Sequence, residues 1–368
     1  MALSKSSRAI LLLLALTTVC FALLLGVLLA TPAGRGFFDG ASKVGEVLSD
    51  PAQRAETAKS IGQSVIVATS DSSMAQARSC FAAGRYRRAL DLADRAASGY
   101  AAVLDAPGDN SIRIQHKFDA VKLKGDCQKK LGQFKLAHQS YCGALELAQA
   151  IFSVRPTDRM AILRLANLYL DLAEVEYFRR DFELGGDYCN QALEAVDSLQ
   201  AKFGSSYIGD SMRIRAYAIL GQLQFDNSQN EKAKQTLELL LVEIAKLEPK
   251  IRADDKIWLY RTMAMGKADL GVIQEKRKHS QLAVKYYGEA LQAFSQCKIS
   301  QSGSLSHQLM AASCAEALAD IEARDSKRLE SAKEHYKQAI GYCKQAARAG
   351  SDEGTKRAAQ IEQTLESL

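Results

Sequence analysis

The side chains of this 368-residue chain best suited to chemistry are five histidines and eight cysteines. His138 and Cys142 stand four apart, a spacing that puts both on one helical face and within reach of a shared metal. Two ligands fall short of a site, and the plainer expectation is a surface histidine beside a packed cysteine. The other histidines, His116, His279, His307 and His335, are spread singly, and the chain has neither a His-Glu-x-x-His run nor a C-x-x-C pair. Phosphate-cradling loops of the G-x-x-x-x-G-K-[ST] or G-x-G-x-x-G kind are missing too. No catalytic residue, metal or cofactor is therefore expected, and an enzyme would need a site assembled from residues without a motif.

What remains is a chain built to form helices. Hydrophobic residues make up 47% and charged ones 24%, which supports a sizeable core, and only 5 prolines interrupt it. The 48 basic and 42 acidic residues give a net charge of +6, too mild to argue for nucleic acid.

The first elements are set by hydropathy. A short tail, residues 1–8 with Lys5 and Arg8, precedes residues 9–30, AILLLLALTTVCFALLLGVLLA, which contain no charge. That length spans a bilayer's hydrocarbon layer, so a single transmembrane anchor is expected, with its short basic side in the cytoplasm. The alternative is a signal sequence cleaved after Ala33, although Pro32 sits badly beside that bond. Ala22, Gly26 and Ala30 recur every four residues on one face, which would let a second copy dimerise through the anchor. Gly and Ala are also common in membrane helices without such a role. Cysteine usage pulls against export. Beyond Cys20 there are seven, Cys80, Cys127, Cys142, Cys189, Cys297, Cys314 and Cys343, an odd and scattered set better suited to buried apolar packing. Cys127 and Cys142, on neighbouring predicted helices of one repeat, could pair in an oxidising space, with a reduced, buried pair as the equal alternative.

From about residue 70 the chain repeats. Small residues recur at Ala89, Ala137, Gly185, Ala233, Ala283 and Ala332, at intervals of 48, 48, 48, 50 and 49. Seven residues further on stand Ala96, Ala144, Ala192, Ala290 and Ala339, with Leu240 the exception. Twelve residues before the first slot stand Ala77, Gly125, Ala173, Gly221 and Gly271, with Asp320 breaking the series. A fixed period of this size means stacked supersecondary units, here paired helices that approach closely at the small residues. Pro107, Pro156, Gly204, Pro249 and Gly303 mark the turns between units, and Asp158 and Asp255 are cap residues for the helices that follow.

This pattern resembles the tetratricopeptide repeat (TPR) family. The resemblance is carried by Leu220-Gly221, Leu270-Gly271, Gly84-Arg85-Tyr86, Gly132-Gln133-Phe134, Ala137 with Tyr141 and Ala144-Leu145, and Ala283 with Tyr287 and Ala290-Leu291. The family's usual period is 34 residues, so these repeats are stretched, as in kinesin light chain-type relatives. The family's first-helix aromatic is displaced by one residue, to Phe81, Tyr177 and Phe225, where core packing is the plain reading. The resemblance implies an all-α fold: a right-handed α-solenoid of about six long helix-turn-helix repeats, preceded by the transmembrane helix. The expected layout is a juxtamembrane linker at 31–69, helical from Pro51 to Thr69, then a solenoid at 70–350 and a capping helix at 351–368.

The resemblance further implies that the first helices line a concave groove for peptides or helices. Carried over repeat by repeat, the groove positions are Lys122, Asp126 and Lys129; then Asp171, Glu174 and Tyr177; then Arg215, Gln222 and Phe225. The family's carboxylate clamp uses a Lys and an Asn four apart; here Asp126 follows Lys122, so a chaperone-tail clamp is not expected. Lys122, Asp126, Asp171 and Glu174 are expected as exposed charges of one mixed surface, so that reversing Lys122 and Glu174 would spare folding. The function expected is a single-pass cell-membrane scaffold with its solenoid outside the cytoplasm. It would bind a protein or peptide partner and no nucleic acid. The alternative is a secreted or periplasmic module after signal cleavage.

Overall fold

The computed structural model describes residues 51–104, 110–252, 256–297 and 305–368. The anchor, the first half of the linker, Pro107, Asp255 and Gly303 lie outside the described residues. Among those described, every regular element is helical, and no helix is long and apolar enough to cross a membrane.

The α-helices are α1 (Pro51–Ala82), α2 (Tyr86–Ala102), α3 (Asn110–Lys130), α4 (Phe134–Val154), α5 (Arg159–Arg179), α6 (Phe182–Phe203) and α7 (Tyr207–Asp226). Then follow α8 (Asn230–Leu247), α9 (Ile257–Lys276), α10 (Ser280–Gln296), α11 (Leu305–Glu322), α12 (Leu329–Arg348) and α13 (Asp352–Glu366). The chain divides into two compact units, Met1–Asp71 and Ser72–Leu368, and α1 runs through the division. The helix does not break at Thr69, where the linker was expected to end. Past Pro51 at its first position, α1 contains no proline and only Gly62 as a weak breaker, at a cost of about 1 kcal/mol. The second half of the linker and the first helix of the first repeat are thus one helix.

Within the second unit the helices form hairpins, α3 with α4 through α11 with α12, and α13 packs on α12. The small residues set how closely each hairpin closes. Ala77, Ala89, Ala96, Ala137, Ala144, Ala192, Ala233, Ala283 and Ala290 are wholly buried. A Cβ built on Gly125 or Gly271 would stand 2.6 Å from the ring of Tyr141 or Tyr287, and one on Gly221 2.6 Å from Leu237. The two exceptions to the small-residue series are compensated. Leu240 fills the space beside Gly266, where a Cβ would lie 3.0 Å from its methyl. Asp320, itself exposed, accepts a hydrogen bond from the hydroxyl of buried Tyr336 at 2.5 Å, which satisfies the polar end of that side chain.

The turn inside each of the first five repeats is the same device. Gly84, Gly132, Arg180, Ser228 and Lys278, at equivalent places, all adopt positive φ between 60° and 73°. The next residue's N–H then reaches the carbonyl five back: Arg85 to Cys80, Gln133 to Gln128, Asp181 to Glu176, Gln229 to Gln224 and His279 to Gln274. This is the six-to-one bond of a Schellman motif. It turns the chain sharply and sets each second helix against the first. Helix starts are capped by Asp158, Asp181, Ser206 and Ser351, whose side chains accept from backbone N–H groups two or three residues on.

Candidate functional site

The predicted groove positions fall into two groups. Lys122, Asp126 and Lys129 recur at i, i+4 and i+7 on α3, and Asp171 and Glu174 share a face of α5, with Arg215 facing them from α7. The structure joins all six into one ion-pair cluster. Lys122 Nζ donates to both Asp126 oxygens at 3.1 Å and reaches Asp171 Oδ2 at 3.0 Å. Lys129 Nζ approaches Glu174 Oε2 at 3.0 Å and Asp171 Oδ1 at 3.5 Å. Arg215 Nη2 donates to Asp171 Oδ1 at 2.8 Å and to Glu174 Oε2 at 2.9 Å. Tyr141 closes the cluster from α4, donating its hydroxyl to Asp126 at 2.6 Å while both lysines stand over its ring.

This corrects the expectation of an open, solvated charge surface. Asp171 is only 5% exposed and takes three cations. Burial alone would push its carboxyl up; Lys122 foremost, then Arg215 and Lys129, outweigh that and hold it well below the usual carboxylate range. Glu174 is lowered in the same way, against its burial, by Lys129 and Arg215. Lys122 and Arg215 are raised in turn, because the carboxylates outweigh the burial that would discharge them. The cluster thus ties three successive first helices together, and reversing Lys122 and Glu174 would disturb folding.

Tyr177, Gln222 and Phe225 lie apart from that cluster. The Tyr177 phenol is pushed up to about 12 by burial and then by Asp226. Gln222 Nε2 donates to Asp226 at 3.4 Å. Phe225 packs against the core below Lys276, whose Nζ lies 4.9 Å from the ring centre. Phe81 packs likewise in the first repeat.

Two adjoining cavities run along α5, α7 and α9. One, about 520 Å³, lies between Asn167, Tyr207, Ile208, Arg215 and Trp258. The other, about 240 Å³, is lined by Tyr177, Phe178, Gln222, Leu237, Leu240, Met265 and Asp269. Glu174, Ala218, Ile219 and Thr262 border both. The first helices of three consecutive repeats therefore present a continuous, mainly apolar trough, with Arg215 in one cavity and Asp269 in the other. Of the predicted positions, Glu174, Tyr177, Arg215 and Gln222 border this trough.

Sequence reasoning missed Asp226, Asp269 and a polar series at Gln128, Glu176, Gln224 and Gln274, buried except for half-buried Gln224. Gln128 accepts from Ser140 and Gln224 from Thr236, each at 2.7 Å, and Gln274 meets His279. The signal for the polar series was present: its four members lie three beyond the small slot in the first helices of the second to fifth repeats.

His138 does face Cys142, with Nε2 3.4 Å from Sγ, but its Nδ1 lies 2.5 Å from buried Glu176, which also pairs with Arg179. Among the described residues, no three His, Cys, Asp or Glu side chains gather in a way that could hold a metal. Cys127 and Cys142 are not joined; all seven described cysteines are free, and all but Cys142 are buried. Burial pushes the thiols of Cys127, Cys189 and Cys314 up to about 12.

No family model matches the chain, and no curated protein matches it. Solved structures do. The apo quorum sensor NprR of B. thuringiensis aligns at a TM-score of 0.54 and 14% identity, covering 88% of this chain and 80% of that one. The S. pombe nuclear import adaptor Nro1 aligns at 0.51 and 14%, covering 81% and 99%. BtubC of P. vanneervenii aligns at 0.51 and 16%, covering 72% and 93%. At such identities the likeness concerns the fold alone. Together with the hairpins, small-residue seams and repeated turns, it gives this chain a TPR-like helical-repeat fold.

Proposed function

We propose that this protein is a membrane-tethered interaction scaffold that holds a peptide or helical segment of a protein partner in the trough along α5, α7 and α9. The observation that carries this reading is the pair of adjoining cavities, walled by first helices of three repeats and mainly apolar between charged ends. The ion pairs from Lys122 to Arg215 hold two of those helices in register before any partner arrives, which lowers the ordering cost of binding. Nro1 is described as an import adaptor and NprR as a quorum sensor, roles that rest on binding, which supports a binding role on this fold.

The tether is residues 9–30, with the repeats on the extracytoplasmic side. The free cysteines do not oppose that placement: thiols that are buried and hard to ionise react slowly even in an oxidising space. Carbonate extraction of native membranes tests the tether, since a cleaved, soluble module would be released. A photocrosslinking residue at Ile208, in the trough, tests the binding face against the same residue at Glu183, exposed on a second helix. Adducts with one protein from Ile208 and none from Glu183 support the reading; the reverse pattern overturns it.

A further inference from the structure

Asp171 and Asp269 occupy the same place in their repeats, each two residues before the small slot, at Ala173 and Gly271. Asp171 is surrounded by Lys122, Lys129 and Arg215. At the three corresponding places around Asp269 the sequence has Ala218, Phe225 and Cys314. Asp269 is nevertheless only 8% exposed, and it lines the smaller cavity. Among the described residues it has neither a hydrogen-bond nor an ion-pair partner, and the charge that acts on it is that of a second carboxylate, Asp226. A buried carboxylate without a partner is costly, and a cation brought from outside would relieve it.

We infer that the Asp269 cavity receives the lysine side chain of a peptide bound in the trough, with its ammonium between Asp269 and Asp226. The inference rests on the trough reading above. Tyr177, Leu237, Leu240 and Met265 form walls suited to an aliphatic stem, and Phe178, 49% exposed, stands at the side. The ammonium takes the place that Lys122 fills against Asp171 two repeats earlier. A chain entering from the larger cavity reaches the smaller one across their shared wall at Ala218 and Ile219. Burial, and then Asp226, push the Asp269 carboxyl up to about 7. The other titratable groups facing it are Glu174 and Tyr177 from α5, Tyr287 from α10 and Cys314 from α11. None of them supplies a positive charge, so an arriving ammonium drives Asp269 to ionise.

The test uses the detergent-solubilised full chain and saturation-transfer NMR. The probes are acetyl-Ala-Leu-Lys-Leu-Ala-amide, its acetyllysine form, its norleucine form and free hexylammonium. The lysine peptide should bind the parent roughly tenfold more tightly than the acetyllysine peptide, the worth of one charged hydrogen bond. Asp269→Asn should abolish that difference, and Asp226→Asn should reduce it. Circular dichroism checks that each variant is folded, and either variant suffices should the other fail to fold. Equal binding of lysine and acetyllysine peptides, or the same difference in a folded Asp269→Asn variant, overturns the inference. Hexylammonium binding as tightly as the lysine peptide would also overturn it, as a site for free amines. Lysine and norleucine peptides that bind the trough equally would reject the pocket while leaving the trough reading intact. No binding of any peptide, with Ile208 crosslinks also absent, would reject both.

Discussion

The ring of Tyr141 occupies the space where a side chain on Gly125 would begin, 2.6 Å from the position of its Cβ. The same relationship joins Gly271 to Tyr287 three hairpins further on. Each tyrosine also anchors its hydroxyl on a carboxylate of the facing helix, Asp126 at 2.6 Å and Glu275 at 3.0 Å. Ring and hydroxyl together fix the hairpin closely enough that even one methyl group has no room.

Gly271→Ala is therefore expected to destabilise the fold by about 1–3 kcal/mol, despite alanine's better helix propensity. Ala137→Leu, at a wholly buried contact in α4, should cost a similar amount of about 1–3 kcal/mol. Urea melts read both. A variant as stable as the parent would mean that the hairpin seam is looser than described.

The repeated turn makes an opposite pair of predictions. Lys278 holds a left-handed conformation that costs a residue with a side chain about 1–2 kcal/mol, so Lys278→Gly should stabilise by up to about 1 kcal/mol. Gly132→Ala should lose about 1 kcal/mol for the same reason, because open space around that glycine leaves backbone conformation as the only cost. Thermal melts of the two variants should move in opposite directions.

The ion-pair cluster predicts a structural penalty. Asp171→Asn takes the shared carboxylate from Lys122, Lys129 and Arg215, which keep only Asp126 and Glu174, and should cost about 2–3 kcal/mol, below the 3–5 of a fully buried pair because the cations keep other partners and some water. Since Asp171 and Glu174 are lowered in the folded chain, the stability they contribute is complete above their unfolded values. It is lost as pH falls below about 4. Acid titration of parent and Asp171→Asn should converge at low pH.

Asp269 predicts the reverse slope. Its carboxyl is raised, so the folded chain retains a proton that the unfolded chain releases near pH 4. Stability contributed by the neutral group therefore declines as pH climbs from about 4 to about 7 and is level above that. Asp269→Asn should remove this decline and be the more stable protein at pH 8.

Much of the fold was legible because helix pairing is enforced by volume. A period of 48 carried by Ala137, Gly185 and Ala233 can only be read as repeated close contacts, and these residues are buried. The break expected near Thr69 was not legible, since nothing in the residues that follow Pro51 stops a helix before Ala82. Charges proved harder to read than sizes. Lys122 and Asp171 are 49 residues apart, and whether they face water or each other depends on how adjacent first helices pack. Asp269 was overlooked for the same reason: its identity is ordinary, and only the missing cations around it distinguish it from Asp171.

The trough is tested most directly by filling it. Ala218 borders both cavities, so Ala218→Trp should block the trough, whereas Glu183→Trp adds the same bulk on an exposed second-helix position. The measurement is the Kd of the protein recovered by crosslinking at Ile208, titrated against both variants after melts confirm that they are folded. The account predicts that Ala218→Trp weakens binding at least tenfold, a loss of about 1.4 kcal/mol, while Glu183→Trp leaves it unchanged. An unchanged Kd for Ala218→Trp, with binding lost in Glu183→Trp, would contradict it.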